Sequence, residues 1–313
     1  MNSNQQRLLN NASNGPKSQV SSQREVFPFI VGCGRSGTTL LTVMLSSHPE
    51  LSIPGETGGF ILRFLEHFSE YGNDMASVET LQLPTVETMI EQLSESHRFS
   101  AWDLDRSALI SRICESGARS AEDVIRSCFA QYAYQQGKKR FGDKTPNHVL
   151  CINELARAFP ESVFIHLIRD GRDVSLAILE ASWGPENIVE AATYWRHRVE
   201  AGSHSGKELG AERYLEVRYE DLIADPESIL RQASNFIGID YDPAMLSYSE
   251  AVSRQLEMSP VPVEDKSLLL PPTAGLRDWR TQMPPEDVQL FELEAGSLLA
   301  QLGYPVSEDQ RSA

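Results

Sequence analysis

The sequence predicts an α/β fold in which a P-loop-like, mostly parallel β-sheet is flanked by helices. Two observations lead to this prediction. The apolar run "VFPFIVGCG" ends in glycines and is followed by a helix-forming segment, which is the strand–loop–helix order of many anion-binding folds. Further along the chain, strand patterns alternate with helix patterns, as is typical of parallel sheets covered by helices.

The loop within "IVGCGRSGTTLL" has the glycine spacing of a phosphate-binding loop but lacks its lysine. Gly32 and Gly37 stand five apart, as in the pattern G-x-x-x-x-G-K-[ST], and Thr38 occupies the lysine position. Thr39 stands at the position of the magnesium-binding hydroxyl, and Arg35 adds a positive charge. Glycines let backbone N–H groups approach an anion. The loop therefore predicts a phosphate or sulfate site that lacks the geometry for a magnesium-bound β/γ-phosphate pair.

The segment after the first helix is predicted to be mostly helical. That helix stops at "HP", and a second short strand is expected in "ELSIPGET". Residues from 58 to about 138 are low in glycine and show helical patterns without a chemical motif. We interpret the range of about 60–138 as a helical insertion, with substrate specificity as its hypothetical role.

The motif "GDKTPNH" contains Asp143, Lys144, Thr145, Asn147 and His148 around a proline that stiffens the turn. A lysine that follows a short strand reaches the crevice at the strand ends, where ligands bind in such sheets. A solvated lysine in a turn is the alternative interpretation.

The motif "IHLIRDGRDVS" places Arg169 at the end of an apolar strand. An arginine at this position is well placed to hold an anion. The alternative is an ion-paired turn, in which Arg169 or Arg172 pairs with Asp170 or Asp173. The motif alone does not decide between them.

The remaining patterns complete a single predicted domain. An amphipathic helix in "NIVEAATYWRHRVEAG" precedes a strand in "RYLEVRYEDL" and a capped helix that ends at Gly238. We predict a disordered tail over 1–25, one domain over 26–307, and a second tail over 308–313.

Composition excludes several classes of protein. The formal net charge of −16 argues against general nucleic-acid binding, which requires a basic surface. The four cysteines form no C-x-x-C pair and none is spaced with histidines as in zinc sites, so no metal site is predicted. We find no secretory signal and no apolar run long enough to span a bilayer. A cytoplasmic location is therefore expected, and the oligomeric state is not predicted.

Together these motifs resemble those of the sulfotransferases that use 3′-phosphoadenosine 5′-phosphosulfate (PAPS). "GRSGTTLL" resembles their 5′-phosphosulfate loop, "GDKTP" their catalytic-lysine segment, "LIRDGRDVSLAI" their 3′-phosphate segment and "VRYEDL" their adenine-side strand. The run "GRSGTTLLTVMLSSHPELSIPGET" is similar to the tyrosylprotein sulfotransferases and bacterial relatives. The resemblance implies the sulfotransferase variant of the P-loop architecture, with PAPS as co-substrate and no metal.

The resemblance also implies roles for particular residues. Arg35 and Lys144 would contact the phosphosulfate, Arg169 the 3′-phosphate, and Tyr219 would line the nucleotide pocket. The loop residues expected around the 5′-phosphate are Ser36, Gly37, Thr38 and Thr39. The family's serine eight positions after the 3′-phosphate arginine is here Ala177, so that hydroxyl is lost or replaced by Ser175. Arg277 is the candidate for the C-terminal basic contact.

Two residues compete for the role of general base. Glu56 occupies the place of the base in the tyrosylprotein branch, whereas His148 stands two residues beyond the histidine of cytosolic members. The acceptor is an unidentified hydroxyl or amine.

Two alternative functions remain open at this point: an atypical P-loop kinase that acts on a small molecule, and a non-catalytic module that binds a nucleotide or a partner.

Overall fold

The computed structural model of the protein describes residues 25–69, 81–249 and 277–307. The tail predicted at 308–313 lies outside the described residues, as does the tail at 1–25 except for its last residue. The domain boundaries therefore remain predictions.

Four parallel strands form the central sheet, in the order β4-β1-β5-β6. The described strands are β1 (Phe27–Gly32), β2 (Leu51–Ser52), β3 (Arg140–Phe141), β4 (Asp143–Lys144), β5 (Ser162–Ile168) and β6 (Tyr214–Arg218). Every residue of β1 and β5 is buried, as expected where both faces of a parallel sheet are covered. The predicted fold class is confirmed.

A separate ladder pairs β2 with β3 in parallel, with Leu51 opposite Arg140 and Ser52 opposite Phe141. Helix α1 (Thr38–Ser46) leads from the glycine loop towards β2. The predicted insertion lies between β2 and β3, so it leaves and re-enters the fold at hydrogen-bonded neighbours.

The described part of the insertion is helical, as predicted. Its helices are α2 (Phe60–Ser69), α3 (Leu83–Ser94), α4 (His97–Ser100), α5 (Arg106–Glu115) and α6 (Ala121–Gln135). They cover one face of the sheet, where the rings of Phe27 on β1 and Phe129 on α6 lie 5.0 Å apart. Aromatic side chains bury large apolar areas, so this contact fixes the insertion against the sheet.

The other helices within the described residues complete the two layers around the sheet. They are α7 (Ile152–Ala158), α8 (Gly171–Ile178), α9 (Ile188–Leu209), α10 (Tyr219–Ala224), α11 (Pro226–Ile237), α12 (Trp279–Gln282) and α13 (Pro285–Gln301). Ile30 of β1 points to the second face and packs in one buried cluster with Leu41 of α1 and Leu230 of α11. Gly238 ends α11 in the left-handed conformation, as predicted.

Trp195 of α9 and Phe291 of α13 belong to a third buried cluster, beside α8. In the ranges that the structure covers, no helix combines the length and the apolar character needed to cross a membrane. The same ranges contain no group of three or more His, Cys, Asp and Glu side chains placed to hold a metal ion.

Candidate active site

The candidate site lies at the carboxyl ends of the four strands of the central sheet. β1 runs into the glycine loop, β4 ends with Lys144, β5 leads to Arg169 and β6 leads to Tyr219. Because the strands are parallel, these four segments share one edge, which is where ligands bind in open α/β sheets. The structure thus places the four predicted motifs along a single edge.

The backbone of the loop suits an anion. Gly37 precedes α1 with a φ of 94°, and Arg35 has a φ of 68°. The left-handed region is uncommon for a residue with a side chain, and residues held there cluster at ligand sites. Gly37 has no side chain with which to cap α1, so it leaves the first N–H groups of this helix to an anion.

Aromatic side chains lie against two glycines of the loop. A Cβ at Gly37 would lie 2.5 Å from the Tyr219 ring, and one at Gly34 would lie 3.2 Å from the Trp183 ring. Trp183 is 59% exposed. The open pocket beside it, of about 480 Å³, is lined by Trp183, Gly184, Pro185, Val189, Glu190, Thr193 and Tyr194. The loop is therefore flanked by a tyrosine and by a tryptophan that borders a pocket.

Lys144 connects the sheet edge to the loop. It pairs with Ile30 of β1 in the sheet register, two residues before the loop begins. Its Nζ lies 2.6 Å from Oε1 of Glu56 and 3.4 Å from Oγ1 of Thr39. The side chain is only 8% exposed, so its ammonium is held between a carboxylate and the start of α1.

Glu56 lies on the loop that follows β2, with 34% of its side chain exposed. Its Oε2 lies 3.8 Å from Nη1 of Arg98, which belongs to α4 of the insertion. Among the described residues, Glu56 forms ion pairs with Lys144 and Arg98. The carboxylate is thus partly open to a substrate and flanked by two cations.

His148 lies in a buried polar network. Its Nδ1 is 2.9 Å from Oδ2 of Asp143, and its Nε2 is 3.4 Å from Oγ1 of Thr57. The Thr57 hydroxyl also lies 2.9 Å from that of Thr145. Both ring nitrogens are engaged and the side chain is 3% exposed, which favours Glu56 over His148 as the general base. The histidine instead supports the residue that follows Glu56.

Arg169 extends from β5 into the same edge. Its guanidinium lies 4.5 Å from the centre of the Tyr219 ring, and its Nη2 donates to the carbonyl of Arg277 at 3.2 Å. Asp173 approaches it at 3.7 Å. The buried Nε of Arg169 has no hydrogen-bond partner among the described residues, so the guanidinium retains a donor for a ligand.

The second arginine of this motif has a structural role. Arg172 is fully buried, with Nη2 at 2.8 Å from Asp170 and Nη1 at 2.8 Å from Glu292. Its guanidinium also lies 3.6 Å from the centre of the Trp279 ring. The ion-paired-turn interpretation therefore holds for Arg172 and Asp170.

Two of the candidate nucleotide contacts have surroundings that the sequence did not predict. The Arg277 guanidinium forms a bidentate pair with Glu180, at 2.7 and 2.5 Å, so its charge is already engaged. Ser175 lies two residues before Ala177 in α8, which rotates it by about 200° around the helix axis. Asp173, not Ser175, shares the face of Ala177. The buried Oγ of Ser175 has no hydrogen-bond partner among the described residues, and its contact with the nucleotide stays a prediction.

The carboxylate beside Arg169, that of Asp173, has a shifted pKa. Burial raises the pKa of Asp173 to about 6, and the N–H of Trp279 and the guanidinium of Arg169 offset only part of this rise. An anion bound to Arg169 would lie near this carboxylate, so we expect the charge of Asp173 to oppose its binding.

A glycine loop at a strand end, a lysine on the neighbouring strand and a carboxylate within 2.6 Å of that lysine form the arrangement expected of an α/β group transferase. Residues 29–243 match the sequence model of the Sulfotransferase family. The chain belongs to this family, and its expected enzyme class, a sulfotransferase, is confirmed.

Similar proteins agree with this assignment. Protein-tyrosine sulfotransferase 1 of Danio rerio is 25% identical over 286 residues, which span 88% of this chain and 71% of that protein. Nodulation protein NoeE of Sinorhizobium fredii is 25% identical over 308 residues, or 89% of this chain and 66% of NoeE. The sulfotransferase domain from the curacin biosynthetic pathway has a TM-score of 0.61 at 21% identity, and covers 91% of this chain and 99% of that domain.

Sequence reasoning missed Arg98 and did not assign Trp183 to the loop. Arg98 lies in an insertion without a motif, and only its packing brings it to Glu56. Trp183 follows α8 in the sequence, but no sequence pattern places it beside the loop. Its contact with Gly34 depends on the tertiary fold.

Proposed function

We propose that the protein transfers a sulfuryl group from PAPS to an acceptor hydroxyl or amine. The observation that supports this most directly is the 2.6 Å contact between Lys144 and Glu56 beside Thr39, at the start of α1. It combines a cation for the leaving phosphate and a carboxylate for the acceptor proton at one end of the anion loop.

The residues present fit a donor with two separate anionic groups. Near the loop, Ser36 has a buried Oγ without a hydrogen-bond partner among the described residues. At the other end of the site, Arg169 has an unpartnered Nε. Buried polar groups are normally satisfied, so these two atoms support a 5′-phosphosulfate at the loop and a 3′-phosphate near Arg169, with Tyr219 between them.

The reaction requires one proton transfer and one bond exchange. Glu56 accepts the proton of the acceptor hydroxyl or amine while the acceptor atom forms a bond to sulfur. The bond between sulfur and the 5′-phosphate oxygen breaks, and its electron pair stays on the phosphate. Lys144 and Arg35 stabilise the charge that develops on the phosphate and the sulfuryl oxygens. The products are the sulfated acceptor and adenosine 3′,5′-bisphosphate, and Glu56 releases its proton to water.

Binding and transfer measurements test the proposal against its alternatives. Calorimetric titration should show binding of adenosine 3′,5′-bisphosphate without magnesium, and no comparable binding of ATP with magnesium. Incubation with radiolabelled PAPS and a cell extract should yield a labelled product, both with and without EDTA. A requirement for magnesium and ATP would support the kinase, and nucleotide binding without any transfer would support the non-catalytic module. The cytoplasmic location is a separate proposal, which cell fractionation tests.

A further inference from the structure

The two oxygens of the Glu56 carboxylate have different cationic partners. Oε1 lies 2.6 Å from Nζ of Lys144, whereas Oε2 lies 3.8 Å from Nη1 of Arg98. We propose that Arg98 is a positioning residue that holds Glu56 by Oε2 when the donor engages Lys144. The inference rests on the proposed sulfuryl transfer, because it concerns the same carboxylate and the same lysine.

Donor binding changes the surroundings of Lys144. Its Nζ is already 3.4 Å from Oγ1 of Thr39, at the start of the helix that would receive the phosphosulfate. The negative donor attracts the ammonium and repels the nearby carboxylate of Glu56. Oε1 then loses its strongest partner and becomes available to the acceptor proton. The carboxylate needs a second cation at this moment, and Arg98 is in place on the opposite oxygen.

The insertion supports the Glu56 loop at both ends. On one side, the indole N–H of Trp102 donates to the carbonyl of Gly55 at 3.2 Å. On the other side, the Arg98 side chain lies so close to Gly58 that a Cβ added there would overlap its Cδ and Nε. Gly58 also has a φ of 56°, which favours glycine. Arg98 is therefore packed against the loop that it is proposed to position.

The expected effect of Arg98 on donor binding follows from the exposure of the Arg98–Glu56 pair. The side chains of Arg98 and Glu56 are 44% and 34% exposed, and ion pairs of this kind change an equilibrium by about two- to fivefold. Without Arg98, the displaced carboxylate has no cation opposite Lys144 and opposes the donor more strongly. The effect of Arg98 on donor binding should therefore depend on the charge of Glu56.

A double-mutant cycle measures this dependence, with adenosine 3′,5′-bisphosphate as the probe in calorimetry. Arg98→Ala should weaken binding about two- to fivefold when Glu56 is present, and by less than about 1.5-fold in the Glu56→Gln background. Arg98→Lys should retain most of the affinity. The matched control is Arg106→Ala, which removes the same charge from the insertion and breaks an exposed pair with Glu91 at 3.5 Å; its affinity should not change.

Equal weakening by Arg98→Ala in both backgrounds would overturn the proposal, because Arg98 would then act on the nucleotide and not through Glu56. No weakening when Glu56 is present would also overturn it. Failure of the unmodified protein to bind the probe would overturn the proposed function itself. Thermal unfolding identifies variants that do not fold, and Arg98→Gln replaces Arg98→Ala in the cycle if the alanine variant does not.

Discussion

Replacement of Glu56 by glutamine separates catalysis from donor binding. The amide keeps the shape of the side chain but cannot accept the acceptor proton, so turnover should fall by about 10²–10⁴-fold. The same change removes a competitor for Lys144, whose Nζ lies 2.6 Å from Oε1 of Glu56 in the free protein. Donor binding should therefore become tighter, not weaker.

The exposure of the two side chains determines how much tighter the Glu56→Gln variant should bind the donor. Lys144 is 8% exposed and Glu56 is 34% exposed, so water screens the pair from one side. Exposed ion pairs contribute about 0.2–1 kcal/mol, and the buried lysine places this pair at the upper end. About 1 kcal/mol corresponds to roughly fivefold tighter binding of adenosine 3′,5′-bisphosphate.

Calorimetry gives the affinity, and transfer of label from PAPS gives the turnover. Glu50→Gln is the matched control, because Glu50 is exposed and its distance to Lys139 is 3.9 Å; neither quantity should change. His148→Ala should cost about 1–3 kcal/mol of stability by leaving the buried Oδ2 of Asp143 without its hydrogen-bond partner. Its loss of turnover should be much smaller than that of Glu56→Gln. Normal turnover of the Glu56→Gln enzyme would refute the assignment of the base.

Two further predictions concern the nucleotide, and a third concerns the pH dependence of stability. Gly37→Ala should abolish binding of adenosine 3′,5′-bisphosphate in calorimetry, because its Cβ would lie 2.5 Å from the Tyr219 ring and its φ is 94°; unchanged affinity would mean that the loop is not the anion site. Ala177→Ser should tighten binding by at most the 1.5–3 kcal/mol or so of a hydrogen bond to a charged group, and equal affinity would show that the 3′-phosphate lies elsewhere. The raised pKa of Asp173, about 6 instead of 3.8, means that the folded state binds this proton more tightly than the unfolded state. Its contribution to stability is present below about pH 4 and is lost as the pH rises to about 6. Asp173→Asn should remove that part of the pH dependence in thermal unfolding, and an unchanged profile would contradict the shift.

The fold was predictable because its signals are local. The loop after β1, the apolar pattern of β5 and the glycine that ends α11 each specify an element within a few residues. The parallel arrangement then brings Lys144 and Arg169 to one edge without further information, since each follows or ends a strand of the same sheet.

The details of the site were less predictable because they depend on packing. His148 lies in a short 3₁₀ turn over Pro146–Leu150 that directs its ring towards Asp143, and spacing along the chain does not reveal this direction. Arg98 reaches Glu56 only because the insertion folds over the sheet. The face of Ser175 could have been predicted, because residues two positions apart in a helix do not share a face.

The β2–β3 ladder has a consequence for how this chain can diversify. Ser52 and Phe141 are neighbours in the ladder. The segment between them therefore begins and ends at residues that already pair with each other. The length of this segment can change with little cost in loop-closure entropy, provided that its helices still cover Phe27. A laboratory graft that replaces only the insertion, residues 60–138, would therefore exchange the surface beside Glu56 while keeping Glu56 itself and the donor loop.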